Sequence, residues 1–147
     1  MRRLNRTAAE ALRPAAPRAV TDVTGFGLLG HLHEMLAASA ADGEVWTAEV
    51  PVLEGTRRLV EQGEVPGGTT ANAAHAATFT TFDEDVDAFV RTLLADAQTS
   101  GGLLAAVDAE ALGPVLERLR AQGDAAAVVG RVATAGSGRI AVRRARA

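Results

Sequence analysis

The sequence contains no cysteine, no lysine and no tyrosine. Without cysteine there is no disulfide, no thiolate nucleophile and no zinc–thiolate site. All 15 basic residues are arginine, so this chain supplies neither a Schiff-base amine nor a P-loop lysine. Acid–base and ligand chemistry falls to 18 carboxylates and three histidines. A net charge of −3 argues against a nucleic-acid or anionic-membrane surface. No apolar run approaches the ~20 residues of a membrane span. The basic start, "MRRLNRTAAEALRP", lacks the continuous apolar stretch of a secretion signal. The expectation is a cytoplasmic protein that binds neither membrane nor nucleic acid.

What is present suits one domain, 1–147, with its own core: 147 residues, 48% of them hydrophobic. Hydrophobic spacing predicts a short helix over 4–12, ended by Pro14 and Pro17, then a β-capable stretch at 19–23. A helix over 28–40 follows, with Leu28, Leu29, Leu32, Met35 and Leu36 on one face. Residues 45–53 read as a strand, with Pro51 at its end or at a sheet edge. Residues 54–63 read as a short helix, 64–75 as a loop and 77–82 as a strand. Asp83 is the expected N-cap of a helix carrying Val86, Phe89, Val90, Leu93 and Leu94. A polar turn at 96–102 leads to a strand at 103–107 and a helix over 108–121, where Pro114 can mark the true first turn. Two closing strands, within 125–133 and 139–143, read as a hairpin joined by "TAGSG". The fold class is α+β, a mixed or antiparallel sheet covered by helices.

The richest stretch is "VTDVTGFGLLGHLHEM", residues 20–35. Asp22 precedes Gly25, Gly27 and Gly30, and a helix then begins. A helix start offers free N–H groups to a phosphate, and glycines let backbone come close. An acid there would repel a bare phosphate, but it suits a divalent cation bridging the two. Mg²⁺ takes one or two carboxylates along with phosphates and waters. The same residues also read as a plain strand–turn–helix with Asp22 capping. "PGGTTAN" (66–72) and "DAQTSGG" (96–102) read as a surface turn and a helix C-cap, with an anion loop as the alternative for the first. His31 and His33 lie ~160–200° apart around a helix and cannot share an ion. His75 reads as solvated.

Together, "TDVTGFGLLGHL", the upstream "LNRTAAEA", "PGGTTAN", "DAQTSGGLL" and the closing "GRV…GSGRIAV" resemble the carboxyl-terminal domain of selenophosphate synthetase (selenide, water dikinase). That family belongs to the aminoimidazole ribonucleotide synthetase-like superfamily. The resemblance covers nearly the whole chain. It implies that superfamily's carboxyl-terminal fold and a reaction in which ATP, selenide and water give selenophosphate, AMP and phosphate. It implies that Asp22 ligates Mg²⁺ at the ATP phosphates and that Thr24 and Gly25 sit near those phosphates. The family's reactive Cys or selenocysteine, its essential Lys and further Asp ligands belong to an amino-terminal ATP-binding domain, which also forms the homodimer. This chain has no residue for the catalytic roles. The expected partner is that domain in cis or in trans, with the chain inactive alone. A non-catalytic orphan or partner-binding domain, or another ATP-dependent enzyme of the superfamily, are the alternatives.

Overall fold

The computed structural model describes residues 4–133 and 135–146. Helix α1 (Arg6–Leu12) leads through a 3-10 turn at Pro14 to strand β1 (Ala19–Asp22) and helix α2 (Gly27–Ala38). Then come β2 (Gly43–Trp46), α3 (Thr56–Glu61), α4 (Gly67–Ala76), β3 (Thr80–Phe82) and α5 (Ala88–Leu94). The chain closes with β4 (Leu103–Ala106), α6 (Ala109–Ala121), β5 (Gly130–Val132) and β6 (Ile140–Arg143). The strands form a four-stranded sheet in the order β3-β6-β2-β5 and a separate ribbon, β1-β4. β6 runs parallel to both β2 and β3, whereas β5 and β2 are antiparallel, as are β1 and β4. The α+β class with mixed pairing is therefore as the sequence predicts.

Alternation along the central strands buries Val45, Ile140 and Val142 against Leu29, Leu32 and Leu36 of α2, with Phe79, Val86 and Leu94 completing the core. Each large apolar side chain so buried contributes about 1.5–3 kcal/mol. A second cluster joins Ala11 and Leu12 of α1 to Val115 and Leu119 of α6. The β1-β4 ribbon lies between the two: Leu104 packs on the first cluster, Leu103 and Ala105 on the second. Asp22 pairs across the ribbon with Leu103, so both cores fix the strand that carries it.

Several sequence expectations are corrected. β5 and β6 are not a hairpin, because β2 lies between them and pairs with both. Thr134 of the connecting "TAGSG" lies outside the described residues. Asp42 Oδ1 accepts the N–H groups of Ser137 and Arg139, which turns that connection back beside β2. The strand expected over 45–53 stops at Trp46 and becomes a 3-10 turn, Thr47–Glu49. Leu4 precedes α1 and is exposed instead of facing its apolar side. The N-cap of α5 is Asp87, whose carboxylate accepts from Val90 N, and not Asp83. Pro114 sits inside α6; the bond it cannot make would go to the carbonyl of Glu110, in the exposed first turn where water can serve. The expected loop at 64–75 is helical from Gly67 onward. Glycine's low helix propensity is outweighed there by tertiary contacts, through buried Thr69 and Ala76.

The buried Glu44 carboxylate crosses the sheet's middle. It accepts from Trp46 Nε1 and pairs with Arg131 of β5 and Arg143 of β6. The indole N–H first, and then the two guanidiniums, hold its pKa below the usual carboxylate value. As pH falls, the unfolded chain therefore takes up this proton before the folded one does. The stability it confers is complete above the ordinary Glu value and is lost as pH drops below it. The Asp42, Asp87 and Asp108 carboxyls shift in the same direction. The urea midpoint is expected to be lower at pH 3.5 than at pH 7, and to be less pH-dependent in Glu44→Gln.

Candidate functional site

β1 ends at Asp22, and Val23, Thr24, Gly25 and Phe26 form the turn into α2. Gly27 opens the helix at φ +69°, and a Cβ there would lie 2.7 Å from the carbonyl carbon of Ala95. Only glycine lets the turn seat this closely on the end of α5. Gly30 does similar work inside α2: its missing Cβ leaves room for Phe26, whose own Cβ would be 2.7 Å away.

Three of the segments singled out in the sequence gather at this turn, two by direct contact and one through Gly101. From "DAQTSGG", Gln98 N donates to the Thr24 carbonyl at 3.0 Å, and Val23 N donates to the Gly102 carbonyl at 3.0 Å. Gly101 packs so tightly on Val23 that a Cβ would fall 2.0 Å from its carbonyl oxygen. From "PGGTTAN", Asn72 Nδ2 donates to the carbonyls of Gly25 (2.8 Å) and Ala95 (3.1 Å). Thr69 donates to Asp96 Oδ1 at 2.7 Å and accepts from Ala97 N at 3.2 Å. Asp96 Oδ2 takes Gln98 Nε2 at 2.9 Å. From "LNRTAAEA", Asn5 Nδ2 donates to the Gly101 carbonyl at 3.1 Å. The glycine turn is thus clamped directly by "DAQTSGG" and "PGGTTAN", and Asn5 braces the first of these at Gly101.

The three predicted residues differ in their situation. Asp22 is exposed, and among the described residues no hydrogen bond or ion pair reaches its carboxylate. Thr24 is half-buried, with its hydroxyl 3.1 Å from His31 Nε2. Gly25 faces open space, its carbonyl held by Asn72. The capping role for Asp22 has no support, since no side chain caps α2. His31 and His33 do point apart: His33 donates from Nδ1 to the Gly138 carbonyl and stacks on Phe79. His75 is exposed, as expected, although its ring edge also meets Phe79.

Sequence reasoning missed Asn5, Thr69, Asn72, Asp96, Gln98 and His31. Their one signal was polarity within segments that otherwise read as turns, and only contact reveals which backbone atoms they hold. No group of three or more His, Asp or Glu side chains able to enclose a metal occurs among the described residues. Two grooves, with volumes of about 270 and 400 Å³, lie elsewhere and contain none of Asp22, Thr24 and Gly25. The Asp22 turn is an open surface.

Comparison with known proteins adds a family and its relatives. Residues 1–143 match the family described as AIR synthase related protein, C-terminal domain. The chain is 42% identical over 134 residues to a selenide, water dikinase of Myxococcus xanthus, covering 90% of this chain and 38% of that protein. It is 40% identical over 136 residues to that of Cronobacter sakazakii, covering 92% and 38%. With that of Carboxydothermus hydrogenoformans it shares 37% over 144 residues, covering 98% and 41%. The chain spans about two fifths of the length of these curated relatives. No described helix is long and apolar enough to cross a membrane.

Proposed function

This chain belongs to the AIR synthase related protein C-terminal domain family, and from that membership we propose that it works as the carboxyl-terminal part of a selenide, water dikinase. In this reading Asp22 is one ligand of a Mg²⁺ ion at the phosphates of ATP, and Thr24 and Gly25 line the phosphate side. The observation that carries it is the exposed Asp22 carboxylate, unbonded by any described residue, at the mouth of a turn that "DAQTSGG" and "PGGTTAN" immobilise. Asp96, the acid of "DAQTSGG", is committed to Thr69 and Gln98.

The donor set fits such an ion as a half-site. A carboxylate is the hard oxygen ligand Mg²⁺ prefers, and one or two protein carboxylates suffice when phosphates and waters complete the shell. The remaining ligands, the reactive Cys or selenocysteine and the Lys would come from an amino-terminal portion, in cis or in trans. Bound Mg²⁺ supplies charge neutralisation for phosphoryl transfer. The chain's own part is to hold Asp22 rigidly and to keep the Gly25 backbone bare so that phosphates can approach. Exposed Val20 and Phe26, near the turn in sequence, are 45% and 57% accessible. They support a surface that another part of the enzyme covers.

The test is complementation. Addition of the chain to a separately produced amino-terminal portion, with ATP and selenide, is expected to yield selenophosphate detectable by phosphorus NMR. Product formation no greater than that of the amino-terminal portion alone would sink the reading.

A further inference from the structure

His31 is 9% exposed and lies inside the clamped region instead of on the solvent face of α2. Its Nε2 is 3.1 Å from Thr24 Oγ1. The other ring nitrogen, Nδ1, faces Glu34 Oε2 one helical turn on, at 3.8 Å. Phe26 covers the ring at a centroid separation of 5.5 Å. The three polar groups thus form a row, carboxylate–imidazole–hydroxyl, that ends two residues from Asp22.

In a neutral imidazole one nitrogen donates and the other accepts. A proton on Nδ1 is favoured by the adjacent Glu34 carboxylate, which leaves Nε2 as the acceptor. The Thr24 hydroxyl must then donate to His31. Its oxygen keeps lone pairs but has no proton left to offer. Such a group suits a cation and cannot donate to a phosphate oxygen. The reverse tautomer would turn Thr24 into a phosphate donor.

We propose that His31 is a positioning residue that takes the Thr24 hydroxyl bond at Nε2 and leaves Thr24, two residues from Asp22 in the same turn, as a lone-pair donor, biasing the turn's mouth toward a divalent cation. The inference rests on the reading of Asp22 as a cation ligand. It deepens that reading by moving Thr24 from the phosphate side to the cation side. Outer partners that orient ligand groups typically change metal affinity 10–100-fold when removed.

Two measurements on the full chain decide it, and neither needs an active enzyme. The first is the ring ¹⁵N shifts of His31, expected to show Nδ1 protonated and Nε2 bare. A native chain with the proton on Nε2 overturns the proposal. The second is titration with Mn²⁺ alone, read as paramagnetic broadening of the Gly25 amide. His31→Phe is expected to raise the midpoint about 10-fold. His31→Gln, whose Oε1 can accept the same bond, should restore it. An unchanged midpoint in His31→Phe, or no restoration in His31→Gln, overturns the proposal. Asp22→Asn separates the two readings. If broadening persists there, Asp22 is not the ligand. If it vanishes there while His31→Phe has no effect, only the His31 inference fails.

Discussion

Asp22→Asn is expected to remove most of the selenophosphate formed when the chain is combined with an amino-terminal portion, by about 100-fold or more. Loss of a ligand is at least as damaging as loss of the groups that orient one, which alone costs about 10–100-fold. Asparagine keeps the size and one oxygen but loses the negative charge, which is the property a Mg²⁺ ligand needs. The same substitution should leave the fold alone. Asp22 is exposed, and no described residue bonds its carboxylate, so the unfolding free energy should move by no more than about 0.5 kcal/mol. The two readouts together are informative. Lost product with an unchanged urea midpoint places the effect in the chemistry. Unchanged product removes Asp22 from the site, whatever the stability.

Gly27→Ala should do the opposite and act through the fold. The residue sits at φ +69°, where an L side chain is strained, and its Cβ would lie 2.7 Å from the Ala95 carbonyl carbon and 2.8 Å from its oxygen. Backbone of a second element must then move, which no rotamer change can prevent. Left-handed strain costs about 1–2 kcal/mol and overpacking typically about 1–3 kcal/mol, so a loss of about 2–5 kcal/mol is expected. Gly25→Ala is the control: nothing lies within 4 Å of its Cβ position and its φ is not in the left-handed region. It should stay within about 0.5 kcal/mol of the native chain. Denaturant melts of the three proteins check this. Equal stabilities would show that the Gly27 turn does not seat on Ala95 as described.

The glycine turn illustrates what could be read and what could not. Glycines before an apolar helical pattern mark a close backbone approach, but the residue approached, Ala95, lies 68 positions on and leaves no local trace. The terminal strands fail for a similar reason. "AAAVVGRVA" and "RIAVR" each have good strand patterning, and adjacency in sequence suggested that they pair. Their real partner, β2, comes about 90 residues earlier and carries Glu44, which takes Arg131 on one side and Arg143 on the other. "PGGTTAN" reads as a turn because proline and two glycines punctuate strongly in isolation. In the folded chain they open a helix that Thr69 and Asn72 anchor from within.

Local sequence was enough for the apolar face of α2, the α+β class, the exclusion of thiol and amine chemistry from this chain, and Asp22 as the acid to watch. The class and the exclusions follow from composition and from periodicities that act within a few residues, whereas Asp22 stands out through its place ahead of the glycines and through the family resemblance. Long-range packing settles that three separate polar segments gather at one turn, that Asp96 is engaged while no described residue bonds the Asp22 carboxylate, and that His31 reaches Thr24. Those outcomes depend on which distant backbone carbonyls a side chain can satisfy, and packing of the two cores around the β1-β4 ribbon sets that.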